Sequence, residues 1–231
     1  MVAAIVRSLK HLLTCAHRLQ APPPSSSSSS SSSSRIPRRL TGNSQFFKME
    51  NFTYGGGGGG DGGGESDGNK AMVAQLQRYG IIRSAKVAEV MGRIDRGLFA
   101  TDGSTAYVDS PMQIGYNATI SAPHMHAMCL ELLEPYLQPG MRALDVGSDG
   151  RLGWPECEPY DAIHVGAAAP EIPQPLIDQL KPGGRLVIPV GNIFQDLKVI
   201  DKSLDGSISI RSETSVRYVP LTSRDAQLRG H

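Results

Sequence analysis

The sequence predicts an α/β sandwich, a domain in which helices pack against a β-sheet. Apolar residues recur at helical spacing between residues 70 and 136. Three short strands follow, at Arg142–Val146, Tyr160–Val165 and Arg185–Val190. The third is almost wholly apolar, which is typical of a parallel strand buried on both faces. The chain closes with antiparallel strands around the turn Asp205-Gly206, and this order of helices, buried strands and a hairpin indicates the class.

The first 48 of the 231 residues have the composition of a targeting segment rather than of a folded domain. They contain no acidic residue, several basic ones and an uninterrupted serine run at Ser25–Ser34. A basic, serine-rich and acid-free N-terminus is typical of an organelle transit peptide. We therefore expect residues 1–48 to deliver the protein to a chloroplast or another organelle. The alternative is a disordered extension without a targeting function, on a protein that stays in the cytoplasm.

Residues 49–69 form a second segment that cannot bury a core. Gly55–Gly64 is all glycine except Asp61. Chain of this composition behaves as a flexible linker. The folded domain is therefore predicted over residues 70–231. Met49, where the linker begins, is a hypothetical second start site.

Three helices are predicted ahead of the first strand. Ala71–Tyr79 and Ala85–Ile94 show helical spacing of apolar residues, with Gly80 after the first helix and Ser84 as the N-cap of the second. Pro123–Tyr136 is the longest of the three.

The second half of the domain is predicted to hold one brief helix and further strands. Ile172–Leu180 is the helix, and Pro182-Gly183-Gly184 ends it. After the third apolar strand, the predicted strands are Leu197–Asp201, Ser207–Ser212 and Val216–Leu221.

Ala118–Ala127 concentrates polar and titratable side chains at the start of the longest helix. A helix N-terminus offers free backbone N–H groups and the positive end of the helix dipole. Ser121 can serve there as a helix N-cap, worth about 1 kcal/mol, or as the hydroxyl of a binding site. It lacks the Gly-x-Ser-x-Gly context of a nucleophilic serine. His124 and His126 are two residues apart, so they face different sides of a helix and do not predict a metal site.

Gly147 ends the first strand at the position where an open α/β sheet binds its ligand. A nucleotide-type cofactor there needs a glycine turn, a helix and a second strand that ends in an acidic residue. Gly150 and Gly153 follow at other spacings, and Trp154–Pro159 breaks any helical pattern. These residues predict a cofactor site in which the first glycine is present. The helix and the second strand that would complete the site are missing.

The overall composition excludes several classes of partner. The net charge of +1 gives no basis for binding nucleic acid. No apolar run approaches the roughly 18–20 residues that a membrane span needs. Cys15, Cys129 and Cys157 are widely spaced and odd in number, which indicates a reducing compartment rather than a disulfide framework. Nothing in the sequence suggests an obligate oligomer, so a monomer is expected.

Seven blocks of the sequence resemble the protein-L-isoaspartate O-methyltransferases, and together they run from about Asn69 to Gln227. The Thr-Ile-Ser-Ala-Pro-His-Met-His block is very specific to this family, whereas Lys-Pro-Gly-Gly is shared by many S-adenosylmethionine methyltransferases. The long N-terminal extension resembles plant members. The blocks are Asp109–Pro111, Ile114-Gly115, Ala118–His126, Ala143–Ser148, Tyr160–Ala167, Leu180–Leu186 and Tyr218–Thr222.

The resemblance implies a Rossmann-like sandwich and a protein-repair reaction. The family methylates the α-carboxylate of isoaspartyl residues in damaged proteins, with S-adenosyl-L-methionine as methyl donor. Ser121 corresponds to its active-site serine, which orients the substrate carboxylate. The implied cofactor-binding residues are Ala118, Thr119, Ile120, Ser121, His126, Ser148, Asp149, Gly150, Thr222 and Gln227.

The chain departs from the family pattern directly after Ser148. There the family continues with a helix, a strand that ends in an acidic ribose ligand, another helix and a third strand. Here Asp149-Gly150, which matches a later block of the family, follows at once. About two β-α units, each of about 30 residues with its crossover, are missing. An alternative transcript would produce such an internal deletion.

This departure predicts specific losses. The first strand should lack a neighbour on one side, and the chain should bind S-adenosyl-L-methionine poorly and turn over slowly. The alternative function is that of a non-catalytic form that binds damaged peptides or the full-length enzyme.

Overall fold

A computed structural model describes residues 65–100, 103, 105–115, 118–147 and 150–221. The predicted targeting segment 1–48 and residues 49–64 lie outside this part of the chain. The helices are α1 (Glu65–Arg78), α2 (Ala85–Arg93), α3 (Pro123–Leu133) and α4 (Gln174–Asp178). The strands are β1 (Met112–Gly115), β2 (Ala118–Ile120), β3 (Ala143–Val146), β4 (Tyr160–Val165), β5 (Leu180–Val190), β6 (Gln195–Lys202) and β7 (Ile208–Val216).

The main sheet has five strands in the order β3-β4-β5-β6-β7. The pairs β3-β4 and β4-β5 are parallel, and the pairs β5-β6 and β6-β7 are antiparallel. Strands β1 and β2 form a separate antiparallel ribbon that leads into α3. The predicted α/β class, with buried parallel strands and a closing hairpin, is confirmed.

Strand β3 lies at the edge of this sheet. Within the described residues it pairs with β4 and with no second strand, as the internal deletion predicts. The connection from β3 to β4, residues 147–159, returns across the sheet with one short 3₁₀ turn at Pro155–Cys157 in its described part. A parallel crossover needs about a dozen residues or more. The connection at residues 147–159 is therefore close to the minimum length of a parallel crossover.

The sheet buries apolar side chains on both faces because residues alternate along each strand. Ala162 of β4 and Val187 of β5 face the layer of α1, α2 and α3, where they pack with residues such as Leu130 and Leu133. On the opposite face, neighbouring strand residues pack with Leu176 of α4; they include Val146, Ile163, Val165, Leu186 and Ile188. The helical layer thus lies on the face of the sheet that carries Ala162.

Several element boundaries differ from the predictions. Strand β5 begins at Leu180, so Pro182-Gly183-Gly184 lies inside a strand instead of ending a helix. Helix α1 begins at Glu65 rather than Ala71, and Asn69 is buried. The Asn69 side-chain amide donates to the backbone oxygens of Met91 and Gly92, so the domain begins before the predicted end of the linker. The separate strand predicted at Val216–Leu221 is wrong, because β7 runs unbroken to Val216 and Pro220 then makes an isolated bridge with Ala168.

The described residues include no helix with the length and apolarity that crossing a membrane requires.

Substituting Gly184 in β5 by alanine is expected to lower the free energy of unfolding by about 2 kcal/mol or more. A Cβ there would lie 2.9 Å from the Lys181 oxygen and 3.0 Å from the oxygens of Tyr160 and Asp161. These are backbone atoms in the β4-β5 region, so they cannot move aside as a flexible side chain would. Urea denaturation followed by circular dichroism measures the effect.

The control for Gly184→Ala is Gly92→Ala in α2, where a new Cβ meets nothing within 4 Å. Alanine is the better helix former, so Gly92→Ala should be neutral or stabilising by about 0.5–1 kcal/mol. Equal unfolding midpoints for Gly184→Ala and the unmodified chain would contradict the close packing at β5.

Candidate functional site

The candidate site lies where the β2–α3 junction meets β3 and β4. Ser121 and Ala122 join β2 to α3, so their position is fixed by the ribbon on one side and by the helix on the other. The carboxyl ends of parallel strands meet at one edge of a sheet, where open α/β folds bind their ligands. His164, near the end of β4, has Cys129 of α3 as a neighbour that raises its pKa.

Ser121 is not the N-cap of α3, so the capping alternative is wrong. The N-cap is Ala122, with Pro123 directly after it, and no side chain of the cap makes a capping bond. The Asp109 carboxylate, on the loop before β1, makes the capping contact instead. Its Oδ1 accepts the His124 backbone N–H at 2.9 Å and lies 2.8 Å from His124 Nδ1. The Ser121 hydroxyl therefore makes no capping hydrogen bond at the start of α3.

Arg96 holds the Ser121 backbone in place from inside the protein. Its side chain is fully buried, and Nη1 donates to the Ser121 carbonyl oxygen at 2.7 Å. Nε and Nη2 donate to the carbonyl oxygens of Ala106 and Ser110, at 2.8 and 3.2 Å. Burial lowers the pKa of Arg96 to about 10, against the opposing effect of Asp109. The guanidinium therefore remains a cation at neutral pH, anchored beside Ser121.

His126, on the first turn of α3, presents a buried nitrogen without a protein partner. The side chain is 7% exposed, and no described residue hydrogen-bonds its Nε2. Burial, together with the charge of Arg96, lowers the pKa of His126 well below its usual value. The ring is therefore neutral. A buried polar atom without a partner calls for an explanation, and a ligand atom at this position would provide one.

A second group of polar side chains lies behind Ser121, between α3 and the sheet. Asp145 of β3 and His164 of β4 are opposite each other in the parallel register, and His164 Nδ1 lies 2.8 Å from Asp145 Oδ1. Burial alone would lower the pKa of His164, but its hydrogen bond with Asp145 and the neighbouring Cys129 raise that pKa to about 10. Burial and the neighbouring Cys129 raise the pKa of Tyr218 well above its usual value, against the opposing effect of Ser121.

No motif in the sequence marks this second group as a site. The available signal is that Asp145 and His164 are polar residues inside otherwise apolar buried strands, where such residues need partners. Their pairing depends on the register of β3 against β4, which is not readable from either strand alone. Cys129 and Tyr218 join the group only through the packing of α3 and the β7 end.

Part of the predicted site lies within the described residues. Thr119, Ile120, Ser121 and His126 lie in one continuous segment, in which Thr119, Ile120 and His126 are buried. Ala118 begins β2. Gly150 lies against β3, and a Cβ at Gly150 would collide with the Val146 side chain. The predictions at Ser148, Asp149, Thr222 and Gln227 fall outside the described residues.

A sequence profile of the family "Protein-L-isoaspartate(D-aspartate) O-methyltransferase (PCMT)" matches residues 66–149 and 148–226. The two segments together span nearly all of the folded part. The chain belongs to this family. The profile match is split at Ser148 and Asp149, the two residues where the isoaspartyl methyltransferase pattern is interrupted in the sequence.

Plant isoaspartyl methyltransferases are among the relatives of this chain. It is 57% identical to protein-L-isoaspartate O-methyltransferase 1 of Arabidopsis thaliana, over 70% of this chain and 94% of the relative. It is 55% identical to the Triticum aestivum protein-L-isoaspartate O-methyltransferase, over 69% of this chain and 94% of the relative. The Arabidopsis alignment spans 217 positions, whereas 70% of 231 residues is about 162. The difference, about 55 positions without a counterpart here, agrees with two missing β-α units of about 30 residues each.

A solved structure shares the fold. It is a Plasmodium falciparum protein assigned to the protein-L-isoaspartate O-methyltransferases, in complex with S-adenosyl-L-homocysteine. The match has a TM-score of 0.62 at 28% identity and covers 68% of this chain and 99% of the other. The remaining strands of this isoaspartyl methyltransferase thus keep their family arrangement.

Proposed function

We propose that this chain transfers a methyl group from S-adenosyl-L-methionine to the α-carboxylate of L-isoaspartyl residues in damaged proteins. The observation that carries the proposal is the Ser121 hydroxyl, which is free of the helix cap while Arg96 fixes its backbone. The backbone amide nitrogen then attacks the methyl ester, which closes to a succinimide with release of methanol, and hydrolysis of the succinimide restores part of the normal aspartate. The chain thereby takes part in protein repair.

The described residues fit one side of the cofactor. His126 offers a buried Nε2 in need of a partner, and Ile120, on β2 ahead of the same helix, offers a buried apolar surface. Both lie in the segment where the family binds S-adenosyl-L-methionine. When bound, this cofactor supplies an electrophilic methyl group. The two missing β-α units would have formed the other side, so we expect binding to be weak.

Little acid–base chemistry is required of the protein. An isoaspartyl carboxylate is already ionised near neutral pH and is itself the nucleophile. The Ser121 hydroxyl can donate a hydrogen bond to one carboxylate oxygen and leave the other oxygen facing the methyl group. The buried Arg96 cation next to Ser121 provides a positive field that favours the carboxylate. Alignment of the reacting atoms is the main contribution of the protein.

Replacing Ser121 by alanine is expected to lower kcat/KM for an isoaspartyl peptide by about 10- to 100-fold. The estimate follows from the loss of one hydrogen bond to a charged group, worth about 1.5–3 kcal/mol. Transfer of labelled methyl groups to a synthetic peptide measures it, and the same peptide with normal aspartate reports the background.

Ser84→Ala is the matched serine control for Ser121→Ala. The Ser84 hydroxyl accepts the Val87 N–H at the start of α2. Its loss should cost about 1 kcal/mol of stability and leave kcat/KM unchanged. Equal turnover by Ser121→Ala and the unmodified chain would remove Ser121 from the mechanism.

We also propose that residues 1–48 direct the chain to a chloroplast or another organelle. The basic, acid-free and serine-rich composition supports this address. Fusion of residues 1–48 to a fluorescent protein tests it in plant cells, and diffuse cytoplasmic fluorescence would contradict it. Comparison of the transcript with its gene tests whether alternative splicing created the junction at 148/149.

A monomer that acts on isoaspartyl proteins, without nucleic acid or membrane partners, completes the proposal. Nothing in the sequence suggests an obligate oligomer. Light scattering of the purified protein measures the oligomeric state.

A further inference from the structure

A closed ring of contacts holds the segment from Ser121 to His124. The Arg96 side chain donates to the carbonyl oxygens of Ser121, at 2.7 Å, and of Ser110, at 3.2 Å. Asp109, the residue before Ser110, accepts the His124 backbone N–H at 2.9 Å. His124 follows Ser121 by three residues, so the ring returns to its start. Each link in the ring is either a short stretch of backbone or a hydrogen bond.

The two side chains that close the ring are shielded from water. Arg96 is fully buried, and the Asp109 side chain is only 11% exposed. Asp109 Oδ1 also lies 2.8 Å from His124 Nδ1. An ionised carboxylate is an acceptor only, so Nδ1 carries the proton of this second hydrogen bond. Asp109 therefore fixes both the backbone and the ring orientation of His124.

Asp109 also completes the hydrogen bonding of the first turn of α3. The first residue of the helix is a proline without an N–H, and the Met125 and His126 N–H groups donate to the Ala122 carbonyl oxygen, at 3.1 and 3.3 Å. Asp109 accepts the remaining N–H, that of His124. Within residues 123–126, all of them described, no backbone N–H is left unpaired to compete with the serine hydroxyl for a substrate carboxylate.

We propose that Asp109 is a positioning residue for methyl transfer, which acts through the first turn of α3 to hold Ser121 toward the substrate carboxylate. This inference rests on the function proposed above for Ser121. The Asp109 carboxylate touches neither the substrate nor the cofactor in this role.

Two anchors are needed because one hydrogen bond does not fix an orientation. The Arg96 contact sets the position of the Ser121 carbonyl oxygen, but the backbone can still rotate about this point. The Asp109 contact fixes the chain three residues further on, and the pairing of β2 with β1 fixes it on the other side. The Ser121 side chain lies between these points. Misplacement of a reacting group by about 1 Å costs on the order of 100-fold in rate, so the second anchor bears directly on turnover.

A double-mutant cycle on the full 231-residue chain tests the proposal. Asp109→Ala removes the carboxylate, whereas Asp109→Asn keeps an oxygen that can accept the His124 N–H. Each substitution is made alone and together with Ser121→Ala. The measurements are kcat and KM for an isoaspartyl peptide, and the dissociation constant of the same peptide without cofactor. Thermal melting verifies folding, and Asp109→Glu, which keeps the charge but displaces it by one methylene group, replaces Asp109→Ala in the cycle if the alanine variant does not fold.

We expect Asp109→Ala to lower kcat/KM about tenfold, because the Ser121 hydroxyl is no longer held in line. In the Ser121→Ala background the same substitution should change kcat/KM less than about twofold, since the hydroxyl that Asp109 positions is gone. Asp109→Asn should restore kcat/KM to within about threefold, because asparagine and aspartate are similar helix caps.

Two results would overturn the proposal. A tenfold loss that persists in the Ser121→Ala background would mean that Asp109 only supports the fold. A loss in Asp109→Asn as large as that in Asp109→Ala would mean that the charge of Asp109, and not its contact with α3, matters for turnover.

Asp205→Ala is the matched control for Asp109→Ala. Asp205 Oδ1 likewise accepts two hydrogen bonds, from the Ser207 backbone N–H at 2.9 Å and from the Ser207 hydroxyl at 2.7 Å. This aspartate lies in the turn between β6 and β7. Its replacement should change kcat/KM less than about twofold, with or without Ser121→Ala. A loss as large as that in Asp109→Ala would overturn the proposal.

Peptide affinity separates this inference from the proposed reaction. If the unmodified chain binds the peptide but transfers no methyl group, the proposed reaction fails, and coupling of Asp109 to Ser121 in peptide affinity still supports the positioning role. In an active enzyme, additive effects of the two substitutions overturn the positioning role alone. Absence of both peptide binding and methyl transfer in the unmodified chain overturns both proposals.

Discussion

Insertion of the missing segment between Ser148 and Asp149 is expected to tighten the binding of S-adenosyl-L-homocysteine by about 100-fold or more. In the family, this segment supplies an acidic ligand for the ribose and a helix N-terminus for the carboxylate end of the cofactor. Hydrogen bonds to charged groups contribute about 1.5–3 kcal/mol each, and a helix N-terminus adds up to about 2 kcal/mol. Two such contacts account for the expected change.

A chimera is the appropriate test of the insertion. The roughly 55 positions of the Arabidopsis thaliana relative that lack a counterpart here are placed after Ser148, and isothermal titration calorimetry measures the dissociation constant. A glycine- and serine-rich insert of equal length controls for chain length. Micromolar binding by the unmodified chain, no weaker than that of the chimera, would show that the missing units are dispensable.

Arg96→Met is expected to lower the free energy of unfolding by about 3–5 kcal/mol, the cost of breaking a buried charge network. The substitution leaves the carbonyl oxygens of Ala106, Ser110 and Ser121 without their donor. Each unsatisfied buried group costs about 1–3 kcal/mol. Because a domain of this size is stable by only about 5–15 kcal/mol, a substantial unfolded population should be visible at moderate urea concentrations.

Arg93→Met serves as the control for Arg96→Met. Arg93 is also an arginine near the end of α2, but its side chain is 58% exposed and pairs with Glu89 at the surface. Its replacement should change stability by no more than about 0.5 kcal/mol. Arg96→Lys should fall between these two, because one ammonium group cannot reproduce the planar fork of a guanidinium. Equal losses in Arg93→Met and Arg96→Met would contradict the structural role of Arg96.

The sequence predicts elements well wherever the controlling forces are local. Tyr160–Val165 is observed with its predicted bounds because an apolar run between Pro159 and Gly166 can form only a short buried strand. Ser84 is observed as the N-cap of α2, since its partner Val87 is three residues away. The edge position of β3 was also predictable, because its neighbours are absent from the chain.

Prediction from the sequence fails where the deciding partner is distant. The cap of α3 comes from Asp109, fifteen residues before His124, so local capping rules select Ser121 instead. At Val216–Leu221, β-branched and aromatic residues favour a strand, but the described structure provides one bridge at Pro220 and no neighbouring strand. The Asp145–His164 pair is likewise created by tertiary structure.

The edge position of β3 also bears on how such a chain could arise. In a doubly wound sheet, the strands that follow the first one are added outward on one side, and later strands are added on the other. Loss of the two units after β3 therefore trims the sheet at its border and leaves β3 through β7 contiguous. Two consecutive β-α units can therefore be absent from this side of the sheet while the order of the remaining strands is unchanged.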